Sequence, residues 1–132
     1  MSTTTQGYLT VVTDLTPEGV TATITGTIKD TSTPPVAIPA ASLATVTLTL
    51  YNKSSGTVLN GRSETNIKNA NDGTVDSNGL LALTLTPADN ALEAQSGSKE
   101  THVAQITWTY NGGASTGRAL VEFPVANLRK VP

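Results

Sequence analysis

The chain has 132 residues, no cysteine, 14% charged residues and a formal net charge of −2. That length holds one domain of ordinary size. The lack of cysteine excludes disulfide bracing and thiol chemistry. Eight Lys and Arg stand against ten Asp and Glu with no basic cluster, which excludes the phosphate-neutralising surface that nucleic-acid binding needs.

Met1 is followed by Ser-Thr-Thr-Thr-Gln, without a basic or an apolar stretch. No signal peptide is expected there, and residues 1–6 read as an arm. A β-sandwich is expected over 7–126, with a short tail over 127–132. The most apolar run, 80–85, is far too short to cross a bilayer, so no membrane partner is expected.

Period-two patterning dominates, and no amphipathic helix competes with it. Residues 8–13 form a first short strand with Leu9 and Val11 on one side. Residues 20–29 alternate strictly, with Val20, Ala22, Ile24, Gly26 and Ile28 inward and Thr21, Thr23, Thr25 and Thr27 outward. Thr16-Pro17-Glu18-Gly19, just before, fits a β-turn with proline at its second position. The proline-rich stretch 30–42 reads as an extended crossing to the next strand.

Residues 44–51 repeat the scheme, with Val46, Leu48 and Leu50 inward and Thr45, Thr47 and Thr49 outward. A weaker pair, 57–59 and 66–68, is expected to be joined through Asn60-Gly61. Asp76-Ser77-Asn78-Gly79 supplies a tight turn with glycine where φ is free to be positive. It leads into 80–86, which lines up Leu81, Leu83 and Leu85, and Pro87-Ala88-Asp89-Asn90 turns the chain out again. Residues 101–110 align His102, Ala104, Ile106, Trp108 and Tyr110. Asn111-Gly112-Gly113 opens a hairpin to the last strand, 118–126, with Ala119, Val121, Phe123 and Val125 inward. Pro124 cannot donate to a ladder, so that strand belongs at an edge or carries a bulge.

Seven short strands, regular turns and one long crossover predict an all-β, immunoglobulin-like Greek-key sandwich of about seven antiparallel strands. Ile24, Leu48, Leu83, Ile106, Trp108 and Phe123 are its expected core. Burying each large apolar side chain is worth about 1.5–3 kcal/mol.

The chemistry-bearing residues are few. His102 is the only histidine. Alternation points it inward, and it is read as a structural residue on a different face from Glu100. A metal site or general base would need partners that the sequence does not supply. The oxygen-rich stretch 69–79, with Asn71, Asp72, Asp76 and Asn78, has Ser77 where a calcium loop needs its glycine, and no closing glutamate. Its acids read as turn residues. No Gly-x-Ser-x-Gly occurs, and Lys29 falls on the threonine face, away from any buried crosslink. No enzyme activity, cofactor or metal is expected. Tyr51, Tyr110 and Arg118 are candidate interface residues, expected near one end or edge of the sandwich. They are equally ordinary strand-end residues.

Roughly one residue in six is threonine. A β-branched, uncharged side chain suits the outer face of a strand and is cheaper to desolvate than a charge. Such a surface suits contact with other protein, and it is also an ordinary way to build an outer strand face.

The stretches "VDSNGLLALTLTPADNAL", "ETHVAQITWTY" and "GRALVEFPV" resemble small Ig-like virion proteins of tailed bacteriophages. These include the amino-terminal domain of baseplate upper proteins and head or neck decoration proteins. In that pattern an Asp-x-x-Gly turn precedes a strand, an acidic turn follows it, and the next strand carries a small residue and an aromatic. Asp76 and Gly79, Asp89, Ala104 and Trp108 occupy those places. Bacterial Ig-like adhesin repeats share the Asp-x-x-Gly turn. The resemblance implies a non-enzymatic virion component, assembled in the host cytoplasm. It would decorate the capsid or attach at the neck or tail, in many copies or as a homo-oligomer, through edges and arms that touch other virion proteins. The alternative is a carbohydrate- or cell-surface-binding module, which would need exposed aromatics; aromatic residues make up 4% of the chain.

Overall fold

The computed structural model describes residues 2–6, 9–13, 16–17, 21–30, 32, 34–91 and 99–126. Ten β-elements follow one another: β1 (Ser2–Gln6), β2 (Leu9–Thr13), β3 (Thr16–Pro17), β4 (Ala22–Thr27), β5 (Leu43–Asn52), β6 (Thr65–Asn66), β7 (Gly73–Val75), β8 (Leu80–Leu85), β9 (Lys99–Tyr110) and β10 (Ser115–Ala126). Among the described residues the only helical piece is a 3-10 turn at Ala40–Ser42.

They form two sheets, ordered β1-β2-β4-β8-β7 and β3-β10-β9-β5-β6. Every ladder is antiparallel except the short parallel contact of β3 with β10. The chain changes sheet between β2 and β3, between β3 and β4, between β4 and β5, between β6 and β7, and between β8 and β9. Strands distant in sequence therefore become neighbours, as β4 and β8 do and as β5 and β9 do. This is the immunoglobulin-like Greek-key sandwich that the alternation predicts. The two-residue pieces β3 and β6 extend its edges.

The alternation explains the core. Ile24, Ile28, Leu81, Leu83 and Leu85 from one sheet meet Val46, Leu48, Leu50, Ile106, Trp108, Val121 and Phe123 from the other, all buried. Trp108 has no solvent exposure and lies opposite Gly117 in the β9–β10 register. A Cβ at Gly117 would come within 2.3 Å of the indole Nε1. Only glycine leaves that space, so the largest side chain of the core rests on a missing one.

The turn before β8 is built as its sequence suggests. Asp76 Oδ1 accepts from the backbone N–H of Asn78 at 2.8 Å and of Leu80 at 3.0 Å. Gly79 has φ of +79°, and a Cβ there would meet Ile38 O at 2.5 Å. Its own carbonyl accepts from Ile28 N–H at 2.9 Å. One turn thus ties the start of β8 to the 28–42 crossing.

Several segments differ from the sequence reading: Thr16–Pro17, read as the start of a β-turn, pairs in parallel with β10, and Gly73–Val75, read within a run of turns, ladders with β8. Ser2–Gln6, read as an arm, ladders against β2 from Ser2↔Thr13 to Gln6↔Leu9. Segments 57–59 and 65–66 pair with β5 rather than with each other: Val58 bridges Tyr51, and Thr65 and Asn66 lie opposite Leu48 and Thr47. The Asn60-Gly61 turn itself forms, with φ of 52° and 66°, and Arg62 N–H donates to Leu59 O at 3.1 Å. The edge of β5 competes for the flanking backbone. Leu59 N–H donates to Leu50 O at 2.8 Å, and Leu50 N–H donates to Arg62 O at 2.9 Å. The expected tail over 127–132 lies outside the described residues.

Candidate functional site

The densest polar cluster among the described residues is centred on Arg62, which follows the Asn60-Gly61 turn at the edge of β5. That turn aims its side chain between the sheets, and the guanidinium is only 7% exposed. Its Nε donates to Asp89 Oδ1 at 2.9 Å and its Nη2 to Asp89 Oδ2 at 2.8 Å, a two-pronged charge-assisted pair. Nη1 donates to Asn71 O at 2.8 Å, and Nη2 also reaches Asp72 Oδ2 at 3.2 Å.

Asp89 sits in the turn that ends β8 and has no solvent exposure. Besides Arg62 it accepts from Asn60 Nδ2 at 2.9 Å, from Thr86 N–H at 2.8 Å and from Thr86 Oγ1 at 3.1 Å. Burial pushes its carboxyl up, but Arg62, Asn60 and the Thr86 amide outweigh that and hold it below the usual carboxylate range. The same bonds from Asp89 raise Arg62 further, against its burial. Both groups therefore stay charged, and the pair ties the loop beside β5, the loop before β7 and the turn after β8 into one knot.

The backbone around this knot is unusual. Asn60, Glu64, Asn69, Asn71 and Asp72 all have positive φ, between 47° and 73°. Asn and Asp tolerate the left-handed region better than other side chains. Arg62 helps hold it by gripping the Asn71 carbonyl. Asn60, Gly61, Arg62, Thr65, Asn71 and Asp72 line an open depression of about 260 Å³. Asp72, half exposed, is its outermost charge. One cation and two carboxylates meet at this knot, which can hydrogen-bond and brace.

His102 is fully buried, as alternation requires, but its relation to Glu100 differs from the expectation. Residues two apart on a strand share a face. Glu100 is buried beside it, with His102 Nε2 2.9 Å from Glu100 Oε1. The imidazole stands edge-on to Phe123 at 5.9 Å. No group of three or more metal-ligating residues occurs among the described residues. Asp72 and Asp76, grouped in the sequence, have separate tasks at Arg62 and in the turn before β8.

The three interface candidates are not brought together. Tyr110 is buried in the core opposite Leu43, at one end of β5. Tyr51, partly exposed, lies opposite Val103 toward the other end. Arg118 is exposed on β10. Even spacing along β9 put Tyr110 on the same side as Trp108, which is why it faces inward.

Sequence reasoning missed Arg62. The signal was faint: a single arginine after an Asn-Gly turn, with its acidic partner 27 residues along the chain. No protein-family model, curated protein or solved structure matches the chain.

Proposed function

We propose that the chain is a non-enzymatic structural component of a tailed-phage virion, assembled in the host cytoplasm and attached to capsid, neck or tail by protein–protein contacts. The observation that carries the docking part is the outer face of the β5–β9–β10 sheet. Cross-strand pairs place Thr45 beside Thr109, Thr47 beside Thr107, Thr49 beside Gln105 and Thr116 beside Thr109. Thr45 and Thr109 share a hydroxyl hydrogen bond of 2.7 Å.

Charge is rare on this face. Arg118 lies among the threonines, while Lys53 and Glu122 neutralise each other at 2.8 Å. Tyr51 and Glu122 flank Val103, which is 2% exposed although it points away from the core. A strand face of mostly β-branched, uncharged side chains loses little rotamer freedom and little hydration on contact. Such a face fits a repeated protein neighbour, and many copies on a particle would turn weak contacts into firm attachment. The virion assignment itself rests on the resemblance of the 75–92, 100–110 and 117–125 stretches. Trp108, Phe123 and Tyr110 are buried, which leaves Tyr51 as the one partly exposed aromatic among the described residues for a sugar platform.

Purified protein mixed with separated capsids, necks and tails should co-sediment with one of them. The variant Thr47→Glu/Thr107→Glu should stay folded and lose that binding. Failure of the unaltered protein to bind any of the three would overturn the reading.

A further inference from the structure

We infer that Asn111 is a modification site: its side-chain amide is lost through attack by the Gly112 backbone nitrogen, leaving aspartate and isoaspartate at the tip of the β9–β10 hairpin. The inference goes beyond the virion reading and stands without it.

The chemistry needs only the following residue and water. The backbone nitrogen of that residue, having given its proton to base, attacks Cγ of the asparagine. The new N–Cγ bond closes a five-membered ring, the Cγ–Nδ2 bond breaks, and the amide nitrogen takes up a proton and leaves as ammonia. Water then opens the ring at either carbonyl. One opening gives aspartate; the other leaves the main chain running through the side-chain carbon, as isoaspartate. Nothing is oxidised or reduced. Glycine is the most reactive follower because no Cβ shields its nitrogen.

Asn-Gly occurs three times, at Asn60-Gly61, Asn78-Gly79 and Asn111-Gly112. All three asparagines are exposed, so their bonding partners decide between them. At Asn78 the attacking nitrogen is held. Gly79 is buried, its N–H donates to Asp76 O at 3.0 Å, and Ile38 O stands 2.5 Å from where its Cβ would be. At Asn60 the leaving amide is held, since Nδ2 donates at 2.9 Å to Asp89 Oδ1, a carboxylate with no solvent exposure.

At Asn111 neither group is held firmly. Among the described residues no acceptor takes the Gly112 N–H. The Asn111 amide makes one exposed bond, from Nδ2 to Ser115 Oγ at 3.1 Å, and water replaces such a bond at little cost. Ring closure also turns the Asn111 carbonyl, which gives up its bond from Ala114 N–H at 3.2 Å. Nothing lies within 4 Å of a Cβ built on Gly112 or Gly113, so the tip has room to turn, and loop tips open locally at small cost.

The two exposed turns would respond differently. A carboxylate at 111 adds one negative charge to a formal net charge of −2. The β9–β10 ladder starts outside it, at Tyr110↔Ser115, so the sandwich survives. The same change at Asn60 sets a second carboxylate against Asp89 and breaks into the knot.

The test is to incubate the folded full-length chain in mildly alkaline buffer and follow the three Asn-Gly peptides by mass spectrometry. Isoaspartate is read by enzymatic methylation, and the added charge by isoelectric focusing. The Asn111 peptide should convert at least about tenfold faster than either of the others, the factor that one broken charge-assisted bond confers. In denaturant the three should convert at similar rates, because each is followed by glycine. Asn111→Gln should remove the acidic form and leave the melting temperature unchanged. Asn111→Asp should melt like the unaltered chain, and Asn60→Asp should melt lower. A folded chain in which Asn60 or Asn78 keeps pace with Asn111, or in which Asn111 does not convert, would overturn the inference.

Discussion

The two flanks of the sandwich treat their exposed backbone in opposite ways. Beside β5, β6 and β7 nearly every open group is taken. Lys68 Nζ caps Leu43 O, Ile67 N–H reaches Val46 O at 2.9 Å, and Asn71 Nδ2 holds Asn66 O at 2.8 Å. Asn69 Oδ1 accepts from Val75 N–H at 3.1 Å. Beyond them the Arg62–Asp89 knot joins the two sheets. Beside β10, among the described residues, the stretch between the hairpin and β3 has no such caps, and β1 approaches it without laddering. An unpaired edge is a template for another strand, and proteins usually cover it. Among the described residues, one flank is sealed with positive-φ turns and a buried ion pair, while β10 is laddered on its outer side only by β3 and approached by β1.

The contrast can be broken from the sealed side first. Arg62→Ala strands a buried carboxylate and should cost about 3–5 kcal/mol in denaturant unfolding, the largest effect of any single polar substitution here. Acid should act on the same knot. The folded Asp89 carboxyl ionises below its unfolded value of about 3.9. Its contribution is therefore complete above that value and is lost as pH falls through the folded one. Unfolding free energy should drop below about pH 4, and Asp89→Asn, already less stable at neutral pH, should show a shallower drop.

Smaller changes sharpen the comparison. Gly117→Ala pushes a methyl into the Trp108 indole and should cost about 1–3 kcal/mol, seen as a lower melting temperature. Lys68→Ala removes one cap and should cost about 1 kcal/mol. On the β10 flank, Arg118→Glu should move the unfolding free energy by no more than about 0.5 kcal/mol. A large loss there would mean that this flank is braced as firmly as the other.

The strands β4, β5, β8, β9 and β10 were legible because one face of each is dry. Burial of Leu81, Leu83 and Leu85 requires period two, and so does the Thr45-Thr47-Thr49 series that faces out. Turn chemistry was equally local: Asp76 and Gly79 act within five residues of each other, and Asn60-Gly61 forms the turn it encodes. The site was not legible. Arg62 and Asp89 each look like a polar residue in a turn. Nothing in their neighbours says that the turns meet, that the sheets enclose them, or that Asn71 offers its carbonyl. Glu100 was within reach of strand geometry, since its spacing from His102 already placed both on one face.

Local periodicity and turn chemistry, which depend on residues within a few positions of each other, determined the strands, the inward stripes and the sandwich. The tertiary structure alone decided which strand edges are sealed and which are laddered only in part. Edge pairing and ion pairing join residues from separate loops, and a pair's strength depends on the burial and the partners that only the closed sandwich provides.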